Sequence, residues 1–261
     1  MKQSTISNQI VIGWNKLPLI LRSVLTGFFV SAFGIAIWSA FVTGIAAPWS
    51  ILPMIIVLCA YLKFFSGSFL LKKSSAERKF NFRSIKLSPT VWKWGITSAI
   101  LFVIIVQASF VITFRLIDFP SEKFTADYKV LDSMPLWVAF AVIIMSSIVA
   151  GICEETGFRG YMQTPLEKKY GPTIAIIITS VIFMVIHLNH SWAYPILPHI
   201  FFASVLLGIL AYKTGSLIRV LLVTQFWIFL IILFGGQILQ VGFISRLFLE
   251  PALTFILLPG A

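Results

Sequence analysis

The sequence predicts an all-α, polytopic transmembrane helix bundle of about seven to eight spans. Three observations predict it. Apolar residues fill 59% of the 261 positions and charged residues only 11%, against about 25% charged in a soluble domain. The mean hydropathy is +0.97. The basic residues sit mostly at the ends of the apolar runs, as they do in chains that cross a bilayer. The net charge of +11 therefore points to a membrane surface and not to nucleic acid. Cys59 and Cys153 both lie inside apolar runs, so no disulfide framework is expected. Phe- and Ile-rich runs with Lys-rich connections fit a multi-pass protein of a bacterial cell membrane.

Taken in order, residues 1–22 are polar and mildly basic and lack the cleavage pattern of a signal peptide. A retained N-terminal segment is expected. Ser23–Phe41 is long enough for a first span, and Pro48–Leu71 for a second that contains Lys63. Lys63 is expected to snorkel or to line the bundle interior. Lys72–Lys93 is the most basic connection, with Lys72, Lys73, Arg78, Lys79, Arg83, Lys86 and Lys93 against Glu77. Such a connection is expected to favour anionic lipid headgroups. Gly95–Phe114 makes a third span and Pro135–Cys153 a fourth. Pro172–His187 starts a fifth, Pro195–Tyr212 is a sixth and Leu217–Phe234 a seventh. Gln237–Leu258 is apolar but holds Arg246, Glu250 and Pro251, so it is an eighth span or an interfacial segment. Lys and Arg number three, seven, three and two in the N-terminal segment and the even connections. They number zero, three and zero in the odd connections. The positive-inside rule then places the N-terminus in the cytoplasm.

The chemistry concentrates where the fourth apolar run ends, at Glu154-Glu155-Thr156-Gly157-Phe158-Arg159. Adjacent carboxylates are costly at the edge of a hydrocarbon layer, and such residues are functional-site candidates. On a helix Glu155 and Arg159 share a face and can pair. Glu154 is rotated about 100° away and escapes that partner. Beside a like charge and in dry surroundings, it suits a general base near neutral pH. The competing reading is an interfacial charge cluster that merely ends a helix.

His187 lies at the end of the fifth run, after Phe183-Met184-Val185-Ile186. It can accept a proton, bind a metal or make a helix–helix hydrogen bond. Glu154 and His187 are equidistant from Tyr170-Gly171. If both arms are helical up to that turn, the two side chains share a depth. That would make the fourth helix about 50 Å long, beyond a hydrocarbon core of about 30 Å. Thr164-Pro165 argues for a break instead. Three histidines and a glutamate are the residue types of a zinc site, and Glu154, His187 and His199 are candidate ligands. No spacing here is a zinc signature, however. His190 sits in a polar turn, and His199 enters the sixth span where a loop-end hydrogen bond is the commoner role. A proton-relaying transporter is a further class, but no inverted repeat supports it.

Together these residues resemble a family. Glu154-Glu155-x-x-x-Arg159 with Gly160-Tyr161, then Phe183-x-x-x-His187-Leu188, then Gly208 and Thr214-Gly215-Ser216-Leu217 are similar to the motifs of the CPBP family. These are the CAAX prenyl endopeptidases and their bacterial bacteriocin-processing or immunity relatives, also called Abi proteins. The likeness covers about residues 135–230. It divides the chain into a cytoplasmic segment 1–22, N-terminal helices 23–134, a catalytic core 135–234 and an apolar tail 235–261. The resemblance implies an endopeptidase acting on a membrane-associated or small peptide substrate, with Glu154 activating water and His187 assisting. It implies that Arg159 fixes Glu155. The family goes by the name of metalloproteases, yet the resemblance implies a glutamate-dependent mechanism without an obligatory metal, which leaves zinc a candidate cofactor only. The chain departs from the pattern in the seventh span. The family has a His and an Asn there for an oxyanion hole, and Thr224 and Ile228 stand in their places. Thr224 can donate one hydrogen bond, and His199 is the other candidate substitute. The alternative implied is a weak or inactive member acting as an immunity or scaffold protein.

Overall fold

The fold was obtained as a computed structural model. It describes residues 12–83, 89–117 and 129–217, together with the separate positions 120, 122, 123, 126, 221 and 224. Among these residues the chain is all-α. Eight helices follow one another: α1 (Leu19–Gly44), α2 (Ile51–Phe65), α3 (Ser75–Asn81), α4 (Pro89–Leu116), α5 (Leu136–Glu155), α6 (Gln163–Tyr170), α7 (Pro172–Ile186) and α8 (Leu197–Thr214). A π-helical segment, Thr156–Met162, joins α5 to α6 without interruption. Among the described residues five stretches are long and apolar enough to cross a membrane: Leu19–Gly44, Ile96–Thr113, Leu136–Tyr170, Pro172–Asn189 and Tyr194–Thr214. The protein is a multi-pass membrane protein. The expected seventh span, Leu217–Phe234, and the tail segment Gln237–Leu258 lie outside the described residues except at Leu217, Leu221 and Thr224.

Three of the expected elements are corrected. The second span, expected over Pro48–Leu71, is a helix of 15 residues ending at Phe65, about 22 Å long at 1.5 Å per residue. Its end is set from outside. Gly67 adopts φ +75°, and buried Arg78 of α3 donates to the carbonyls of Phe64, Phe69, Leu70 and Leu71. A guanidinium that collects four carbonyls holds the chain in a compact loop and stops it from continuing as helix. Lys63 is exposed in the last turn of α2, where a cation complements the helix dipole.

Thr164-Pro165 does not break the fourth helix, which runs unbroken for 35 residues, about 50 Å. The π segment is the reason. Its wider turn carries the Gln163 N–H back to the Phe158 carbonyl, five residues earlier. The Thr164 hydroxyl donates to the Arg159 carbonyl at 3.1 Å. A proline in a regular helix leaves a carbonyl unpaired and collides with it. Here the backbone is already widened before Pro165 arrives.

The third correction concerns the basic connection. Arg78 and Arg83 are buried at 5% and 8% exposure, so their charges face the protein and not lipid headgroups. Arg83 pairs with Glu167 at 2.7 Å. It also donates to Thr164 at 2.9 Å and to the Ala211 carbonyl at 3.0 Å, pinning α6 to α8.

Small residues bring α1 against the π segment. Ser23, Gly27, Ser31 and Gly34 are buried on one face of α1. A Cβ on Gly157 would collide with the Gly27 carbonyl and lie 2.8 Å from Ser31 Cβ. One on Gly27 would lie 2.7 Å from Met162 Cβ. Close backbone approach between small residues is how membrane helices associate when both partners and lipid are equally apolar. Trp38 of α1 adds a hydrogen bond to Ser146 of α5 at 2.9 Å. Tyr61 of α2 donates to the Val30 carbonyl at 2.9 Å.

Candidate active site

The site is built on the hairpin of α5, the π segment and α6 packed against α7. Gly171 makes the turn with φ +81°, and Pro172 opens α7 at a position where its missing N–H costs nothing. Both arms are helical up to the turn. Their register can be read from a contact. The rings of Phe158 and Phe183 meet edge-on with centroids 5.0 Å apart. Glu154 is four residues before Phe158 and His187 four after Phe183, so the carboxylate and the imidazole sit at the same depth, one turn from that contact.

Glu155 and Arg159 are fully buried and form the ion pair that the spacing predicts, at 3.1 Å. Arg159 also donates to the Ser204 hydroxyl at 3.0 Å and the Ser204 carbonyl at 3.3 Å on α8. Its guanidinium lies over the Phe183 ring, 4.7 Å from the centroid, a favourable cation–π arrangement when desolvated. One side chain thus ties α5, α7 and α8 together. Thr224 is buried, and no hydrogen bond joins its hydroxyl to the Glu155 carboxylate. Glu154 is half-buried. It takes part in neither of the ion pairs found among the described residues.

His187 caps the end of α7 and is half-buried. Its Nδ1 lies 2.7 Å from the Phe183 carbonyl. A carbonyl only accepts, so Nδ1 carries the proton and the neutral ring presents Nε2 as a lone-pair acceptor. The ring also packs on Phe183, 4.6 Å between centroids. Phe183 therefore contacts Phe158, Arg159 and His187 at once.

His199 lies elsewhere in its bonding. It is buried in the first turn of α8, and its Nδ1 pairs with Ser109 of α4 at 2.8 Å. The Ser109 hydroxyl also donates to the Val106 carbonyl at 2.9 Å. His199 thus links α8 to α4, where the sequence suggested a loop-end hydrogen bond. His190 is exposed and stacks on Trp192 at 5.0 Å. Among the described residues no three His, Cys, Asp or Glu come together to hold a metal ion. Ile228 lies outside the described residues.

Several site residues escaped the sequence reading. Ser204 is a small polar residue within an apolar run and carried no signal. Gln163, fully buried, bridges Glu167 at 2.6 Å and the Gly208 carbonyl at 2.9 Å. A Cβ on Gly208 would crowd Gln163 and Ile176. The Ser23-x-x-x-Gly27-x-x-x-Ser31 spacing was a readable packing signal, but it lies in the half of the chain that carried no chemistry.

Residues 135–230 match the family model described as type II CAAX prenyl endopeptidase Rce1-like. Over that stretch the chain is similar to the Rce1-like family. The match starts where α5 starts and spans the Glu pair, Arg159, Phe183, His187 and Thr224. It supports the CPBP family, which the motifs resemble, and the Rce1-like family is a family of membrane peptidases. No curated protein and no solved structure matches the chain.

Proposed function

We propose that the chain is an intramembrane endopeptidase in which Glu154 is the general base. The observation that carries this reading is the shared depth of Glu154 and His187, fixed by the Phe158–Phe183 contact. The Glu154 carboxylate takes a proton from water, and the oxygen so activated attacks the carbonyl of a peptide bond. The proton then passes to the leaving amine. The Nε2 of His187 accepts a hydrogen bond from the same water and holds it in line. Glu155, clamped by Arg159, is structural. Thr224, buried within the matched stretch, is the candidate oxyanion donor. The substrate class is a peptide presented at or within the bilayer.

The chain is further read as lying in a bacterial cell membrane with the Gly171 turn on the cytoplasmic side. Lys168 and Lys169 beside that turn support this by the positive-inside rule.

The test is a cleavage assay in proteoliposomes with a quenched peptide library. Wild type is compared with Glu154→Gln, His187→Ala and Thr224→Ala. Glu154→Gln is expected to lower the rate by about 10²–10⁴. Thr224→Ala should lower it less. Wild-type protein that cleaves nothing, with and without added zinc, would sink the reading and leave the non-catalytic, peptide-binding role.

A further inference from the structure

A cleft of about 410 Å³ opens where α3, α6 and the end of α8 meet, lined by Lys79, Phe80, Arg83, Thr164, Glu167, Lys168 and Gly215. It stands apart from the Glu154–His187 site and from the catalytic reading. Arg83 and Glu167 neutralise one another on its floor at 2.7 Å. Every nitrogen of Arg83 is already committed, to Thr164, Ala211 and Glu167. That leaves Lys79 and Lys168, both exposed, as the cleft's excess charge. Neither takes part in either of the ion pairs found among the described residues. Lys168 stretches over the Phe80 ring at 5.7 Å, so an aromatic edge borders the positive mouth.

The depth of the cleft identifies its occupant. Glu167 and Lys168 lie in the last turn of the span that ends at Tyr170, and Gly215 follows the span that ends at Thr214. The opening is therefore level with the ends of two spans, in the headgroup layer that flanks a hydrocarbon core of about 30 Å. Basic pockets between helices at that level take the headgroups of anionic lipids. The volume suits a headgroup and its glycerol. We propose that this cleft binds the phosphate of an anionic phospholipid, held between Lys79 and Lys168 over a neutral Arg83–Glu167 floor. This narrows the expectation from the basic connection. Of its seven cations, Arg78 and Arg83 are turned inward, and Lys79 is joined by Lys168 from a distant helix.

The experiment uses the full chain, delipidated in a non-ionic detergent. Binding of phosphatidylglycerol, phosphatidylcholine and inorganic phosphate is followed by native mass spectrometry. Wild type is expected to bind phosphatidylglycerol about tenfold more tightly than phosphatidylcholine. The double variant Lys79→Gln/Lys168→Gln should bring the two lipids to within about twofold. Lys72→Gln/Lys73→Gln removes the same charge from exposed residues outside the cleft and should leave the preference intact. An equal loss in that control would reduce the effect to general surface charge and overturn the site. Displacement of the lipid by inorganic phosphate at similar concentration would overturn the lipid as the source of the phosphate. Unchanged melting temperature in both variants is expected, because all four lysines are exposed.

Discussion

Arg159 shows how much one side chain is asked to do. It neutralises Glu155, donates to Ser204 and covers Phe183. A lysine offers a point charge where this site uses a planar fork. Arg159→Ala is expected to lower stability by about 3–5 kcal/mol, because it leaves Glu155 buried without its partner. Ser204→Ala should cost about 1–3 kcal/mol, by leaving a buried donor unmet. Denaturant titration of the purified protein measures both. Glu154→Gln should leave that stability almost unchanged while abolishing cleavage, so the two carboxylates separate cleanly into support and chemistry. An Arg159→Ala protein as stable as wild type would mean that the buried pair is idle. The pairing of Glu155 with Arg159 was legible in the sequence because a four-residue spacing has one geometric meaning on a helix. Ser204 was not, because a contact between helices 45 residues apart leaves no local pattern.

At the scale of the element, the hairpin about Gly171 was readable and the π segment was not. A turn glycine followed by proline is a local signal. The register of two long arms follows from it by counting, and the Phe158–Phe183 contact bears that register out. A π turn needs tertiary support, and its sequence, Thr156–Met162, looks like ordinary helix ended by a Pro. The support comes from α1 through Gly27 and Ser31. Gly157→Ala should therefore push the two elements apart and cost about 1–3 kcal/mol by overpacking, with cleavage lost in step. Gly171→Ala meets nothing within 4 Å, but it puts a Cβ at φ +81°, ψ +164°, where glycine is nearly alone, and should cost about 1–3 kcal/mol. Thermal unfolding measures both, and a Gly157→Ala protein as stable as wild type would refute the close-packing account.

For the whole molecule, composition alone established the membrane class, because a hydrocarbon solvent leaves no other use for so many apolar residues. Charge placement carried less. Counting cations in connections treats each as solvent-facing, yet Arg78 and Arg83 are consumed by carbonyls and by Glu167. The proposed orientation still has a direct check. In a Cys59→Ala/Cys153→Ala background, Lys169→Cys should react with an impermeant maleimide only after the membrane is opened. Lys129→Cys, exposed in the preceding connection, should react in intact cells. The reverse pattern would invert the topology.

The π segment has one more consequence. Its bonds reach back one residue further than those of an α-helix, so it holds the slack of a single amino acid. Loss of one codon between 156 and 162 would let the turn relax to regular helix and leave α6 and the turn at Gly171 in place. The span would survive such a deletion. The spacing between Glu155 and Arg159, or the seat of Thr164 on the Arg159 carbonyl, would not. A frame-preserving deletion there would silence the site and spare the membrane protein that carries it.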